Sequence, residues 1–464
     1  MPAAAAPAAA AATATAEAPP GAAASDALAY ALLKQLVEIN TTDSPRGNVT
    51  TAAEAMAQRF RAAGFPAADI QVLGASARKK NLVVRLRGSG AHPAVLLIGH
   101  LDVVEARRED WSTDPFRLIE RDGFFYGRGT LDMKGPDALM AAALIRLKRE
   151  GFRPARDIIL ALTADEEGGA ANGVAWLLEH HRELIDAQFV LSGDDYSVLT
   201  EHGRPLFFKL DASEKVYADY QLLVTNKGGH SSEPVPDNAI YRLTRGLDRL
   251  AAYEFPFELN AVTREYYRRL AGIDTGQRAA DMRAILREPP EQRSLERLSQ
   301  DPVDHSITRT TCVATRLEAG HANNALPQTA RAVVNCRMLP GHDPDSVWAT
   351  LRRVVADSSV VVTPLDTARP SPPSPLVPEV LDPVTRISAQ LWPGVPVIPN
   401  METGASDGLY LRNAGMPVYG MSGVFLDADD IRAHGKDERI GVQEYYAGAE
   451  FTYRLVMALG RGGR

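Results

Sequence analysis

The chain has 464 residues, of which 45% are hydrophobic and 23% are charged, and this is the composition of a globular protein long enough for two domains. Its net charge of −7 and its lack of a block rich in lysine and arginine argue against a nucleic-acid-binding protein. No apolar run reaches the roughly 18 residues of a membrane span, which argues against a membrane protein.

The first segment, residues 1–25, consists almost entirely of alanine, proline and threonine. We expect it to be disordered, because it has too little apolar bulk to form a core. Its small residues are typical of the end of a secretory signal, but it lacks the basic start and the apolar centre of one. We therefore favour a soluble protein that is periplasmic or secreted, with a cytoplasmic protein as the alternative.

From residue 26 to residue 211, apolar strands alternate with amphipathic helices. The pattern predicts helices at 27–39, 50–63, 134–149 and 174–184, and strands at 70–73, 81–86, 94–98, 157–162 and 189–191. Such alternation is typical of an α/β fold with a mostly parallel sheet and helices on both of its faces.

The pattern changes near residue 212, where polar and apolar residues begin to alternate as they do in a half-exposed strand. Strands are predicted at 216–225, 310–317, 330–339 and 360–365, and helices at 238–252 and 345–355, which gives an α+β order of β-α-β-β-α-β. We interpret residues 255–308 as an elaboration of this second domain. The α/β pattern returns after the proline-rich segment 368–378. The second domain, 212–367, is therefore predicted to be inserted between two parts of the first, 26–211 and 368–464.

Acidic and imidazole side chains follow the predicted strands of the first domain. They are His100, Asp102, Asp132, Glu166, Glu167, Asp194, Asp195 and His434. The carboxyl ends of parallel strands share one edge of a sheet, so these groups are expected to converge there and to repel one another unless cations hold them. Histidine and carboxylate ligands without cysteine suit catalytic zinc, with cobalt or manganese as alternatives. Each residue taken alone has an ordinary explanation, as a helix cap, a turn carboxylate or a core histidine.

Taken together, the motifs resemble the two-zinc aminoacylase and carboxypeptidase family, which includes glutamate carboxypeptidase, carboxypeptidase S, carnosinase and succinyl-diaminopimelate desuccinylase. The matching segments are His-x-Asp from residue 100, Gly-Arg-Gly-x-x-Asp-x-Lys-Gly from 127, Asp-Glu-Glu-Gly-Gly from 165 and His-Gly-x-Asp-Glu-Arg from 434. The resemblance extends over residues 26–464. It implies a catalytic domain like that of the zinc exopeptidases, with the inserted domain as its lid and dimerisation domain.

The resemblance also assigns the metal ligands. Asp132 is expected to bridge two zinc ions. Glu167 and His434 are expected to complete one of the two sites, and His100 and Asp194 the other.

Three further residues receive catalytic roles from the resemblance. Glu166 is the expected general base, which agrees with the rule that adjacent residues leaving a strand point to opposite sides. Asp102 is expected to hold the imidazole of the first ligand in place. His230 is expected to stabilise the oxyanion of the intermediate, often from the partner subunit of a homodimer. Family members often have a cis peptide after the bridging aspartate, which is Asp132–Met133 in this sequence.

Substrate binding is assigned by the same resemblance to Asn324, Arg337, Gly404 and Ser406, and the planar guanidinium of Arg337 suits a free carboxylate. The implied function is hydrolysis of the amide bond of a dipeptide, a short peptide or an N-acyl amino acid that bears a free carboxylate. The alternative is a non-catalytic relative that binds amino acids or peptides on the same scaffold, but such a protein is expected to have lost a ligand or the base.

Asp194, together with the segment Arg309–Cys312, makes the chain more similar to the carboxypeptidase-S branch of the family, and the acyl side of the substrate stays open. Cys312 and Cys336 lie symmetrically about Asn324, so they are expected to face one another across a hairpin. Two buried free thiols are the expected state, with a disulfide as the alternative in an exported protein.

Overall fold

The computed structural model of the chain describes residues 22–168, 170–194, 198–201 and 203–462. Most of the segment that is predicted to be disordered lies outside these ranges, and so do Gly169 and Asp195. None of the helices within the described ranges combines the length and the apolar character that crossing a membrane requires.

The helices and strands of the chain fall into three consecutive groups. The first group is α1 (Ala22–Val37), α2 (Val49–Ala62), β1 (Ile70–Ser76), β2 (Lys79–Leu86), β3 (Val95–His100), β4 (Ile119–Arg121), β5 (Phe124–Tyr126), α3 (Lys134–Arg149), β6 (Ile158–Thr163), α4 (Gly173–His180), α5 (Arg182–Ile185), β7 (Phe189–Ser192), β8 (Val198–Glu201) and β9 (Arg204–Glu214). The second group is β10 (Val216–Thr225), β11 (Gly229–His230), α6 (Ala239–Ala251), α7 (Ala261–Ile273), α8 (Gly276–Ile285), α9 (Gln292–Leu298), α10 (Pro302–Ile307), β12 (Thr311–Ala319), β13 (Ala325–Leu326), β14 (Thr329–Met338), α11 (Pro344–Val355) and β15 (Val361–Pro364). The third group is α12 (Pro378–Leu391), β16 (Val397–Glu402), α13 (Gly408–Asn413), β17 (Val418–Gly420), β18 (Phe425–Asp427), β19 (Arg439–Gly441) and α14 (Val442–Gly460).

The larger sheet has the strand order β1-β2-β6-β3-β7-β17-β9-β8-β18, with β16 paired to β9. Its central strands β6, β3, β7 and β17 are parallel neighbours. Strands β3 and β6 are buried along their whole length, because their side chains meet helices on both faces of the sheet. Leu97 belongs to a buried cluster that includes residues of α1, α3, α12 and α14, whereas its neighbour Leu96 belongs to a cluster that includes residues of α4, α5 and α13. The predicted α/β class with a mostly parallel, doubly covered sheet is confirmed.

The smaller sheet is antiparallel and has the strand order β12-β14-β10-β15. Helices α6 and α11 cover one of its faces, where Leu243 and Leu351 join Leu222 of β10 in one core. The order along the chain, β10-α6-β12-β14-α11-β15, is the predicted β-α-β-β-α-β. Strands of the larger sheet lie before and after this unit in the sequence, and the change of sheet follows Glu214 at the end of β9.

The segment 255–308 contains four helices, α7 to α10, that pack against the larger sheet. Tyr267 of α7, Met282 of α8 and Ile307 of α10 share a buried cluster with Ile398 and Met401 of β16. The assignment of this segment to the second domain stays a prediction, because the cluster also includes Leu339, which follows β14 of the smaller sheet. The apolar face of each helix can be read from the sequence, but the sheet that covers the face cannot.

The prediction of two free thiols is wrong, because Cys312 and Cys336 form a disulfide. The two residues are direct partners in the register between β12 and β14, with their Cα atoms 4.1 Å apart. The expectation that they face one another across a hairpin is therefore correct, and their pairing follows from it.

Candidate metal centre

The centre lies at the carboxyl-terminal edge of the larger sheet. His100 ends β3, Glu166 and Glu167 follow β6, and Asp194 follows β7. Because these strands are parallel neighbours in the order β6-β3-β7, their ends open onto one crevice. The position of the four side chains thus follows from the topology of the sheet.

Asp132 and His434 reach the same crevice from loops, and Asp132 stands between two imidazoles. Its Oδ1 atom lies 3.2 Å from His100 Nε2, and its Oδ2 atom lies 3.0 Å from His434 Nε2. Glu167 Oε2 is 3.0 Å from His434 Nε2, and Asp194 Oδ1 is 3.4 Å from His100 Nε2. All five predicted ligands are brought together, in the same two groups that the resemblance implies.

The donor atoms fit a pair of divalent metal ions. Oδ1 of Asp132 and Oε1 of Glu167 are buried and accept no hydrogen bond within the described part of the chain, which is costly for an anionic oxygen unless a cation is at hand. Hydrogen bonds to these two carboxylates raise the pKa of the His434 imidazole to about 10. The two carboxylates therefore stabilise a positive charge between them. Imidazole nitrogens together with carboxylate oxygens are typical ligands of zinc.

Glu166 faces a cavity of about 330 Å³ beside the ligands. Its Oε2 atom lies 4.0 Å from His100 Nε2. Burial, with the charges of Asp194 and Asp407, raises the pKa of the Glu166 carboxyl well above its ordinary value. The cavity is lined by Leu131, Asp132, Pro136, Glu166, Glu167, Gly193, Asp194, Glu402, Gly404, Ala405, Ser406, Ser422, Val424, Ala433, His434 and Ile440.

Asp102 makes a different contact from the expected one. His100 Nδ1 lies 3.0 Å from the main-chain oxygen of Asp102 but 3.7 Å from its carboxylate oxygen Oδ1. The carboxylate instead accepts the main-chain N–H groups of Glu166, at 3.2 Å, and Glu167, at 3.0 Å. The peptide group of Asp102 thus contacts the imidazole, while its side chain ties the loop after β3 to the turn after β6.

A second anchor, at Asp165, holds the same turn. Asp165 is buried and has a left-handed backbone, with a φ of 65°, just before the two glutamates. Its carboxylate accepts a hydrogen bond from Lys79 at the start of β2 and another, of 2.8 Å, from the main-chain N–H of Ala171. The peptide bond Asp132–Met133 is cis, as the resemblance implies.

The residues expected to bind substrate fall into two groups. Gly404 and Ser406 line the cavity, and the Ser406 hydroxyl donates a 2.7 Å hydrogen bond to Glu214 at the end of β9. Asn324, Arg337 and His230 are absent from the described residues that line it, and all three belong to the segment that carries the smaller sheet.

Within that segment, two of the three residues are close together. The main-chain N–H of Ser231, next to His230, donates to the main-chain oxygen of Asn324 at 3.0 Å. Arg337 on β14 stacks over the ring of Tyr217 at 4.6 Å and donates from Nε to Asn335 at 3.3 Å. Its terminal nitrogens make no hydrogen bond or ion pair with any part of the chain that the structure describes, so they are available to an anion.

Some residues of the site were not assigned from the sequence. Glu402 lines the cavity, and the charge of Asp407 helps to raise the pKa of the Glu166 carboxyl. Burial raises the pKa of the Asp407 carboxyl to about 7. Glu402 ends β16 and Asp407 follows it, so the rule that sites form beyond strand ends could have found them. The buried pair of Arg128 and Glu438 gave no such signal, because 310 residues separate its members.

Comparisons with known proteins agree with this geometry. Residues 96–458 match the model of "Peptidase family M20/M25/M40". The human N-fatty-acyl-amino acid synthase/hydrolase PM20D1 is 29% identical over 400 residues, covering 79% of this chain and 75% of the human protein. A probable carboxypeptidase S-like 2 from Dictyostelium discoideum is 29% identical over 378 residues, covering 78% of this chain and 71% of that protein. The crystal structure of the M20 family metallo-carboxypeptidase Sso-CP2 from Sulfolobus solfataricus has the same fold, with a TM-score of 0.70 and 17% identity over 93% of this chain and 99% of the other.

Proposed function

The chain belongs to peptidase family M20/M25/M40, and on that premise we propose that it hydrolyses the amide bond of a short peptide or an N-acyl amino acid that bears a free carboxylate. At the coarser level, the chain is a metallohydrolase of peptides or N-acyl amino acids. The proposal adds the free carboxylate, zinc as the metal and the role of each side chain.

The arrangement of the ligands is the observation that carries the proposal. One oxygen of Asp132 faces His100 and the other faces His434, so one carboxylate can serve two metal ions. Glu167 would complete the group at His434, and Asp194 the group at His100. We propose two zinc ions, with cobalt or manganese as alternatives, because the ligands are imidazoles and carboxylates without cysteine.

When bound by these residues, divalent ions would lower the pKa of a water and polarise the scissile carbonyl. Glu166 faces the same cavity without taking part in the contacts between Asp132 and the imidazoles. Its carboxylate can take the proton of the attacking water and deliver it to the leaving amine, which is the task of a general base and acid. Asp102 fixes the main chain at Glu166 and so sets the direction of this carboxylate.

Substrate recognition is proposed to come from both domains. Gly404 and Ser406 would contact the substrate at the cavity, while Arg337 and Asn324 would bind its carboxylate after closure of the second domain, with hinges near 210–215 and 366–372. The unpaired terminal nitrogens of Arg337 support this role. His230 is exposed, and we propose that it stabilises the oxyanion in a homodimer formed through the inserted domain.

The same scaffold could serve a non-catalytic protein that binds amino acids or peptides. That alternative has no support in the site, because Glu166 and all five ligand residues are present and in reach of one another. The similarity to PM20D1 and to a carboxypeptidase S-like protein supports an amino acid on the amine side of the scissile bond.

The test is a panel of dipeptides and N-acyl amino acids, each assayed as the free acid and as the amide, with and without a chelator. Metal content is counted on the same samples. We expect two metal ions per chain, hydrolysis of free acids only, and loss of activity with the chelator that zinc restores. Full activity in the chelated, metal-free protein would refute the mechanism, and binding of the panel without turnover would favour the non-catalytic alternative.

A further inference from the structure

Two motif residues without a role in the proposed chemistry form a buried ion pair beneath the metal centre. Arg128 Nη1 lies 2.6 Å from Glu438 Oε2, and the two side chains are 2% and 0% exposed. Arg128 belongs to the Gly-Arg-Gly segment before Asp132, and Glu438 belongs to the segment after His434. The pair therefore connects the loops that carry two of the proposed ligands.

The Glu438 carboxylate holds the first loop through its main chain. Oε1 accepts the N–H groups of Leu131, at 2.8 Å, Asp132, at 3.0 Å, and Gly129, at 3.1 Å. These are charge-assisted hydrogen bonds in a buried place, where they are strong. The main chain of Asp132 is thus fixed relative to Glu438.

The Arg128 guanidinium holds the second loop in the same way. Nη2 donates to the main-chain oxygens of His434, at 3.3 Å, and Gly435, at 3.0 Å, while the guanidinium lies 5.1 Å from the ring of Trp111. His434 has a left-handed backbone with a φ of 60°, a conformation that a residue other than glycine keeps only when its surroundings fix it. Arg128 fixes this backbone directly, because it donates a hydrogen bond to the main-chain oxygen of His434.

We propose that Arg128 and Glu438 are positioning residues that set the distance between Asp132 and His434, and so control the affinity of the metal ion on the His434 side. The inference rests on the proposed two-metal site. The metal on the side of His100 and Asp194 would share Asp132, but its other two ligands lie at strand ends that the pair does not contact, so its affinity should fall less. If the pair had a purely structural role, its loss would instead lower the stability of the chain and leave both metal affinities unchanged.

The experiment uses the full chain with Glu438→Gln and, separately, Arg128→Lys. In Glu438→Gln, an amide nitrogen replaces one carboxylate oxygen and cannot accept hydrogen bonds from the main-chain N–H groups. In Arg128→Lys, the charge opposite Glu438 is kept, but the ammonium group cannot also reach the main-chain oxygens of His434 and Gly435. Arg156→Lys is the matched control, because Arg156 is 1% exposed and pairs with Glu379 at 2.6 Å outside the metal centre. Arg128→Lys retains the buried charge and serves alone where Glu438→Gln does not fold.

The readouts are zinc affinities from titration against a competing chelator and the zinc occupancy of each position from anomalous scattering. Loss of a group that orients a ligand lowers metal affinity about 10- to 100-fold. We expect such a fall on the His434 side and a smaller one on the His100 side, which shares Asp132. Activity should recover with added zinc, and Arg156→Lys should bind zinc as the natural chain does. Unchanged affinities, or equal losses on both sides, would overturn the inference. A natural chain that binds fewer than two zinc ions would instead refute the proposed function.

Discussion

Asp102 provides the sharpest test of how the site is ordered, because the expected and observed contacts predict different defects. In the structure its carboxylate accepts the main-chain N–H groups of Glu166 and Glu167 at 3.2 and 3.0 Å, and it is 3% exposed. The His100 imidazole is contacted by the main-chain oxygen of Asp102. Changing the side chain should therefore disturb the two glutamates and spare the imidazole.

The perturbation is Asp102→Asn, which keeps the size of the side chain. Asparagine retains one acceptor oxygen and turns an NH₂ group towards the other N–H, so one charge-assisted hydrogen bond is lost, with a free energy of about 1.5–3 kcal/mol. Each 1.36 kcal/mol is a factor of ten in rate. If this energy positions Glu166 for proton transfer, kcat should fall about 10- to 150-fold.

The assay compares kcat, KM and the two zinc affinities of the variant with those of the natural chain. We expect a lower kcat and weaker zinc binding on the Glu167 side, with the His100 side unchanged. Asp301→Asn is the control, because the Asp301 carboxylate also accepts two main-chain N–H groups, at 2.9 Å each, but at the start of α10. Selective loss of zinc at His100 would show that the Asp102 side chain holds the imidazole, as the resemblance implies. That result would refute the reasoning from the structure.

Other side chains allow shorter tests. Glu166→Gln should keep both metal ions and lose about 10²- to 10⁴-fold in kcat, and near-normal turnover with full metal content would contradict its role as the base. Arg337→Ala should raise KM about 10- to 100-fold for free acids, with Arg337→Lys intermediate, and an unchanged KM would contradict carboxylate binding. Replacing Cys312 and Cys336 together by serine removes a disulfide that closes a loop of sequence separation 24, and the lost constraint on the unfolded chain lowers stability by about 3.5 kcal/mol. Amide hydrogen exchange in β12 and β14 should therefore accelerate several-hundred-fold, while that in β3 should not change.

The sequence predicts the fold well where a local pattern decides the structure. The predicted helix 134–149 and strand 216–225 have the observed bounds, because each is bordered by residues that end its pattern. Three of the predicted metal ligands, His100, Glu167 and Asp194, could be placed for a related reason. They follow apolar strands, and the ends of parallel strands meet at one edge of the sheet whatever the length of chain between them.

Features that depend on long-range contacts were not predicted. Strands β8 and β18 extend the larger sheet, and each owes its place to pairing with another part of the chain. The helices of 255–308 have apolar faces that fit either sheet in principle. The contact of Asp102 with the turn after β6 was missed because the sequence shows a carboxylate two residues from a histidine and gives no sign of the N–H groups that its side chain meets.

The anchors around the centre differ from one another in the loops that they join, and this has a mechanical consequence. Asp102 joins the loop after β3 to the turn of Glu166 and Glu167, and Lys79 joins the start of β2 to that same turn through Asp165. Arg128 with Glu438 joins the loop of Asp132 to the loop of His434. If metal ions alone gathered the ligands, the carboxylates would need no such ties, and their mutual repulsion would separate the loops whenever a metal left. Because each tie pairs a buried charge with main-chain groups or with a buried opposite charge, the ligand loops are held before any metal binds. The loss of one tie should therefore release one ligand group and leave the rest of the crevice in place.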